Sequence, residues 1–441
     1  MKTLQNQQTS FFEREYKWVV VALLFVSGFL NLEDRVVIFS IIPLMRRDLH
    51  LTDVETGALM TAFLWVYAIF SPFSGFFGDR LSRRRILIFS VCAWSIVTIL
   101  AGWVTTAHQL FVTRFLLGFT ESFYLPASLA LMADWHTRAT RGKAYAVLTL
   151  GANLGPILGG AFAGFVGEHF GWRYVLYVLG GIGVIHSAIL YGWLRDAPVG
   201  AVESEPRARP AQKPSFLAVL RTLACTPSLL CIGLVSGITA VASWMMNTWL
   251  PVYLYDRFHT SLTQSAFVGN AVLMVPAMIG VTLGGVLSDA VGQRQPKYRY
   301  LLFAGFLTVA IPWPLLFWWA QSFAVVLVAV ASFMLCRSLG ECNWYPVMYE
   351  IVSPEMRATA GGVSNSFNCL MGGLGALLAG YYKSTLGLQA VFGLVSILIA
   401  IGAATLFTAY HVFLPRDLER AQKRRQEAIA SSVSTAVGIA H

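Results

Sequence analysis

Charged residues are scarce in this chain. Asp, Glu, Lys and Arg make up 12% of its 441 residues, whereas 56% are apolar. An ordinary soluble domain carries about 25% charged residues, so this composition excludes one. The net charge of +10 does not indicate a nucleic-acid partner either, because the basic residues lie in alternate loops instead of forming one patch.

Features of several enzyme and pump classes are also missing. The six cysteines show no metal-ligand spacing with histidine, so we expect free thiols in packing positions. The eight histidines are scattered and form no HExxH pattern. A Gly-rich phosphate loop and a Walker lysine are absent from the sequence, which argues against ATP-driven pumping. We therefore expect no enzymatic activity, no metal and no cofactor.

Long apolar runs, by contrast, recur along the whole chain. A helix needs about 20 apolar residues to cross a bilayer, and about twelve segments meet this requirement. The sequence therefore predicts an all-α membrane protein with twelve transmembrane helices. The predicted spans are 17–44, 54–77, 86–105, 109–134, 143–167, 173–193, 227–255, 262–288, 300–320, 323–352, 357–381 and 388–412.

One shift in composition divides these spans into two sets of six. The segment RDAPVGAVESEPRARPAQKP is rich in proline and charge, which is typical of a linker. The predicted order is a cytoplasmic N-terminal segment 1–16 without a cleaved signal peptide, a six-helix bundle 17–193, a cytoplasmic linker 194–226, a second bundle 227–412 and a cytoplasmic tail 413–441.

The distribution of lysine and arginine predicts the orientation. Of 32 basic residues, 24 fall in the N-terminal segment, the loops after even-numbered spans and the tail. Such an excess marks the cytoplasmic side, so we expect both termini to face the cytoplasm from the cell (inner) membrane. The basic residues on the opposite side are Arg46, Arg47, Arg173, Arg257 and Lys383.

The two predicted bundles repeat each other in sequence. TESFYLP aligns with GECNWYP, which places Glu121 and Glu341 five residues before a proline in each bundle. FSGFFGDRLSRRR follows the second span and LGGVLSDAVGQR follows the eighth, with Asp79 and Asp289 in equivalent places. Two parallel-related six-helix bundles are the architecture of transporters that work by alternating access.

GFFGDRLSRRR resembles the signature that the major facilitator superfamily carries between its second and third helices. The resemblance implies the major facilitator fold and a gating role for this loop. The gating residues that the resemblance implies are Gly78, Asp79, Arg80, Arg84 and, in the second bundle, Asp289. The alternative is that the loop's arginines only keep it on the cytoplasmic side.

Three ionisable residues interrupt the first span, in NLEDRV. A charge at membrane depth costs at least ~2.5–3.5 kcal/mol, so it persists only where it faces a cavity or a partner. Asp34 and Arg35 lie near the middle of the span, whereas we expect Glu33 to be a flanking residue. In the fourth span, Arg114 and Glu121 lie on one face but are about 10 Å apart, so Asp34 and Arg35 are their available partners.

These four groups suggest a proton-coupled transporter of an anion. Buried carboxylates at Asp34 and Glu121 suit proton coupling, and the guanidinium forks of Arg35 and Arg114 suit a substrate carboxylate or phosphate. The alternative is a buried network that only holds the bundle together. A receptor or scaffold would leave the buried carboxylates unexplained.

The same combination resembles two families over most of the chain. They are the anion:cation symporters of sugar acids and other organic anions, and the Spinster-like transporters of lysolipids. The symporter resemblance implies protonation at Asp34 and Glu121 and anion binding at Arg35 and Arg114. The expected partners are a small organic or amphipathic anion, protons and membrane lipid, with a monomeric protein and no nucleic acid.

Further candidates lie in both bundles. Arg337 and Glu341 are four residues apart on one helix and either neutralise each other, which we favour, or line the cavity opposite Glu121. Other polar and aromatic candidates for substrate binding, each of which alternatively holds helices together, are Tyr67, Asn153, Asn247, Trp249, Tyr253, Asn270, Asn343, Tyr345, Asn365 and Asn368.

A glycine pattern in the fifth span keeps efflux open as an alternative function. G-x8-G-x3-GP-x2-GG is typical of proton-coupled drug antiporters, and the chain matches it fully. The alternative is close helix packing and bending around a proline. The matching residues are Gly142, Gly151, Gly155, Pro156, Gly159 and Gly160.

Overall fold

The computed structural model describes residues 2–78, 82–197, 215–295, 297–423 and 426. Across these ranges the chain is almost entirely helical and contains no strand, as the apolar runs predict. The gating candidates Asp79 and Arg80 lie outside the described residues.

Among the described residues, seven α-helices come before the predicted linker. The side chains of Ser82 and Thr106 accept hydrogen bonds from backbone N–H groups and so cap the starts of the third and fourth helices. The helices are α1 Lys2–Leu49, α2 Asp53–Gly78, α3 Arg83–Ala101, α4 Ala107–Glu121, α5 Tyr124–Trp135, α6 Arg138–Phe170 and α7 Trp172–Trp193.

Eight α-helices are described after position 215. Gly387 has φ of 76° inside the last one, a left-handed conformation that favours glycine, and it divides the predicted spans 357–381 and 388–412. The first of these eight helices lies inside the predicted linker. They are α8 Phe216–Cys225, α9 Pro227–Phe258, α10 Leu262–Arg294, α11 Tyr298–Ala310, α12 Pro312–Leu315, α13 Phe323–Glu341, α14 Trp344–Ile351 and α15 Arg357–Thr408.

Two predicted spans, 109–134 and 323–352, are each divided into two helices. α4 ends at Glu121 and α13 at Glu341, which are the equivalent glutamates of the sequence repeat. At each break a backbone N–H donates to the carbonyl oxygen three residues earlier, as in a 3₁₀ turn. Ser122 N–H donates to Phe119 O, and Asn343 N–H donates to Gly340 O. The repeat therefore extends to local backbone geometry.

Ten segments among the described residues are long and apolar enough to cross a membrane. The last, Thr359–Lys423, contains Gly387 and covers two predicted spans. The predicted span 17–44 is not among the ten, but it lies inside α1. The structure thus accommodates the twelve predicted spans.

The chain divides by contacts into two compact units. The first contains Met1–Arg207, Trp244–Met274 and Gly372–Leu388, and in it α1 packs on α6, α2 on α4, and α3 on α7. The second contains Ala208–Ser243, Val275–Met371 and Gln389–His441, with α11 packed on α13.

Candidate functional site

One turn of α1 directs its ionisable side chains at three neighbouring helices. Successive residues of an α-helix point about 100° apart, so the side chains of Glu33, Asp34 and Arg35 face different neighbours. Glu33 faces α6, Asp34 contacts Thr98 of α3, and Arg35 contacts α4. All three are buried.

Arg35 and Glu121 form a buried ion pair. Arg35 Nε lies 2.8 Å from Glu121 Oε2, and Asn31 Nδ2 donates to the same oxygen at 2.9 Å. Arg35 Nη2 donates to Asn31 Oδ1 at 3.1 Å. Glu121 is fully buried, and its Oε1 has no hydrogen-bond partner among the described residues. Oε2 of Glu121 therefore accepts two hydrogen bonds, while Oε1 accepts none from the described residues.

The guanidinium of Arg35 also lies over two aromatic rings. Its Cζ is 4.5 Å from the ring centroid of Tyr67 and 5.3 Å from that of Phe63. A cation over an aromatic face is stabilised by the ring quadrupole. Of the predicted substrate-binding aromatics, Tyr67 is therefore placed against the charged network.

Asp34 and Arg114 form the second part of the network. Thr98 Oγ1 donates to Asp34 Oδ1 at 3.3 Å, and Arg114 Nη1 donates to the backbone oxygen of Asp34 at 3.4 Å. Arg114 is 2% exposed, and its Nε has no hydrogen-bond partner in the described part of the chain. The structure thus brings together the four charged residues that the sequence singles out.

This arrangement has the groups that anion binding and proton transfer require. Two buried guanidiniums offer forked donors, and two buried carboxyls offer oxygens that can hold a proton. A spare donor on Arg114 and a spare acceptor on Glu121 remain, so the network retains capacity for a further ligand.

The sequence missed three members of this site. Asn31 precedes Arg35 by four residues, which puts the two side chains on one helix face. This spacing could have identified Asn31 as a partner of Arg35. Thr98 carries no such signal, because its role depends on how α3 packs on α1. Glu33, expected to be a flanking residue, is 1% exposed, and that expectation is wrong.

Arg337 and Glu341 pair with each other, which is the alternative that their four-residue spacing favours. Arg337 Nη1 pairs with Glu341 Oε2 on the same helix, and Thr239 Oγ1 lies 3.4 Å from Glu341 Oε1. Self-neutralisation accounts for both charges locally.

Most of the other substrate-binding candidates make contacts within helices or between packed helices. Trp249 is fully buried, with Nε1 donating to Ala376 O at 3.0 Å. Asn343 donates to Gly340 O and Asn153 to Thr149 O. Asn270 donates to Ser40 Oγ and Asn368 to Ser236 Oγ. Asn247 and Asn365 are half-buried, Tyr253 is buried, and Tyr345 stacks on Trp344.

The described gating candidates lie at helix ends. Gly78 is the last residue of α2. Arg84 donates its backbone N–H to Asp196 Oδ1 at 3.0 Å, at the start of α3. Asp289 lies 3.5 Å from Arg299, which also pairs with Glu350.

The glycine pattern of α6 packs against α1. A Cβ at Gly151 would meet Phe25, one at Gly155 would meet the backbone oxygen of Phe29, and one at Gly159 would meet the carboxyl of Glu33. Nothing lies within 4 Å of a Cβ at Gly142. Close packing therefore explains these three interior glycines, and Gly142 is outside the contact.

The helical architecture and the charged groups buried within it define a multi-pass membrane transporter. The family model of the Major Facilitator Superfamily matches residues 24–376. The chain belongs to this superfamily, as GFFGDRLSRRR and the repeated bundles predict.

Curated relatives fall into two groups. Protein spinster homolog 1 of Homo sapiens is 26% identical over 95% of this chain and 85% of its own length. The probable galactarate/D-glucarate transporter GudP of Escherichia coli (strain K12) is 25% identical over 87% of this chain and 93% of its own. Both expected resemblances are therefore present.

A solved structure shares the fold. The inward-facing, unoccupied crystal structure of a bacterial homologue of the human lysosomal transporter Spinster has a TM-score of 0.82. It is 21% identical in sequence and covers 91% of this chain and 98% of its own. The match supports the major facilitator fold.

Proposed function

We propose that the chain is a proton-coupled symporter of a small organic anion of the sugar-acid type, working by alternating access. Asp34 and Glu121 carry the protons, and Arg35 and Arg114 hold the carboxylate. The observation that carries this proposal is the buried Arg35–Glu121 pair with its unpaired Glu121 oxygen. The galactarate/D-glucarate relatives favour a sugar acid.

Coupling follows from competition for Arg35. Its guanidinium is already shared between Glu121 and Asn31, so an incoming carboxylate displaces one of them. A buried carboxylate that loses its cation is strongly destabilised. Glu121 then takes up a proton, and substrate and proton cross together.

The rest of the proposal concerns orientation and gates. Both termini face the cytoplasm from the cell membrane, and the protein acts as a monomer in contact with lipid. Asp79, Arg80, Arg84 and Asp289 belong to the cytoplasmic gate. The remaining polar and aromatic candidates take part in substrate binding during the transport cycle.

A charged cluster is a candidate for the opposite gate. Asp53 lies 2.7 Å from Arg46 and 3.0 Å from Lys383, which is itself 3.5 Å from Asp256. The cluster joins the ends of α1 and α2 to the Gly372–Leu388 part of α15 within the first unit. Such contacts must break when this side opens.

The test is substrate-dependent proton movement in proteoliposomes. Galactarate, a lysolipid and a cationic dye are each added to vesicles that contain a pH-sensitive dye. We expect galactarate to carry protons inward with it. Proton movement in the opposite direction with the cationic dye alone would support efflux, the antiporter alternative.

A lysolipid is the second candidate substrate, because an apolar cavity in the first unit fits an acyl chain. The cavity has a volume of about 670 Å³, with Ser82 and Arg85 as its polar lining and a positive charge for an anionic headgroup. The apolar lining is Phe70, Phe73, Ile86, Phe89, Phe119 and Phe123. Proton movement with the lysolipid alone would favour this candidate.

A further inference from the structure

Glu33 occupies a notch in α6 rather than the flank of the site. Its side chain is 1% exposed and lies where a Cβ at Gly159 would be, while its backbone nitrogen is 3.3 Å from a Cβ built at Gly155. The two glycines are four residues apart on one face of α6, so together they leave room for the carboxyl.

Among the residues that the structure describes, the notch holds no cation paired with Glu33. Glu33 Oε1 is buried and has no hydrogen-bond partner among the described residues. α6 presents Gly155 and Gly159 to it, and the charged neighbour on α1 is Asp34, another acid. An ionised carboxylate here would lack compensation, so the neutral, protonated acid fits the notch.

The first part of α10 covers the seam beside this notch. Asn270 Nδ2 donates to Ser40 Oγ of α1 at 3.3 Å, and the same amide lies against Gly160 of α6. Asn270 is neutral, so α10 brings no charge at this contact. By sequence α10 belongs to the C-terminal repeat, although its first part packs within the first unit. Rocking of one repeat against the other in alternating access would therefore lift it from the seam.

We propose that Glu33 is an additional, gated proton site. Its carboxyl holds a proton while α10 covers the seam and releases it to water when α10 moves away, leaving the carboxylate. The step is a proton transfer from the carboxyl oxygen to water. This inference rests on the proposed proton-coupled function and adds one proton per substrate to those carried by Asp34 and Glu121.

The proton-to-substrate ratio tests the site. Galactarate accumulation is measured at equilibrium in proteoliposomes with a fixed pH gradient and the membrane potential clamped to zero. Losing one coupled proton should lower the accumulation ratio of Glu33→Gln by about tenfold per pH unit. Glu15→Gln, an exposed position on the same helix, should match the wild type. An unchanged ratio in a monodisperse Glu33→Gln would overturn the proposal while leaving proton coupling intact.

A second measurement uses the wild-type protein and does not depend on transport. A hydrophobic carbodiimide attacks protonated carboxyls in apolar surroundings, and mass spectrometry locates the adduct. We expect labelling at Glu33 that rises as the pH falls. Absence of an adduct at Glu33, with labelling at Asp34 or Glu121, would contradict the inference even if Glu33→Gln failed to fold. Labelling at Glu33 in a protein without proton-driven uptake would refute the proposed function and not the protonation of Glu33.

Discussion

Replacing Arg35 by methionine tests the buried pair at the centre of the site. The substitution removes the cation 2.8 Å from a fully buried carboxylate. Breaking such a pair from one side costs about 3–5 kcal/mol, because the remaining charge is buried without compensation. The lost stacking over Tyr67 adds about 0.5–2 kcal/mol.

Glu121→Gln in the same protein removes the stranded charge. We expect Arg35→Met/Glu121→Gln to recover part of the loss, with a coupling free energy of about 0.5–3 kcal/mol. Thermal unfolding in detergent, followed by tryptophan fluorescence at one scan rate, ranks the variants. Arg47→Met, at an exposed arginine of the same helix, should change stability by no more than about 0.5 kcal/mol. If Arg35→Met were as mild as this control, the buried pair would not hold α1 to α4.

Two further predictions address packing and gating. Gly155→Ala should destabilise the protein by about 1–3 kcal/mol in the same unfolding assay, since the new Cβ meets the backbone of α1. Gly142→Ala places its Cβ in open space and should be neutral or stabilising. Equal effects of the two substitutions would exclude close packing as the reason for the glycine pattern. Lys383→Met removes a contact of 3.0 Å to Asp53 worth about 0.2–1 kcal/mol, so a single cysteine at Thr61, which donates to Gly373 O in this conformation, should react up to about fivefold faster with an impermeant thiol reagent. An unchanged labelling rate would show that Lys383 does not hold this end closed.

Much of the fold follows from apolar length alone. Twelve runs of about 20 residues leave little choice in a bilayer, because each must satisfy its own backbone as a helix. The breaks after Glu121 and Glu341 were not predicted, since the apolar run continues across each of them. They arise from tightened turns whose hydrogen bonds span three residues, a property of backbone geometry that hydropathy does not record.

The site was predictable wherever charge stood out against an apolar background. Asp34, Arg35, Arg114 and Glu121 stood out because the membrane penalises unpaired charge. Glu33 was as conspicuous in sequence, yet its burial depends on α6 presenting Gly155 and Gly159 to that turn of α1. The burial of Glu33 depends on how α1 and α6 pack together, and the sequence pattern of α1 alone does not determine that packing.

Uphill accumulation of galactarate driven by a pH gradient tests proton coupling directly. We expect that the wild type accumulates the anion and that an uncoupler abolishes the accumulation. Asp34→Asn and Glu121→Gln should each lower the accumulation ratio by about tenfold per pH unit at zero membrane potential, because each removes one coupled proton. Both should retain counterflow, because exchange needs no net proton movement. A ratio equal to that of the wild type in both variants would contradict the assignment of the coupled protons to Asp34 and Glu121.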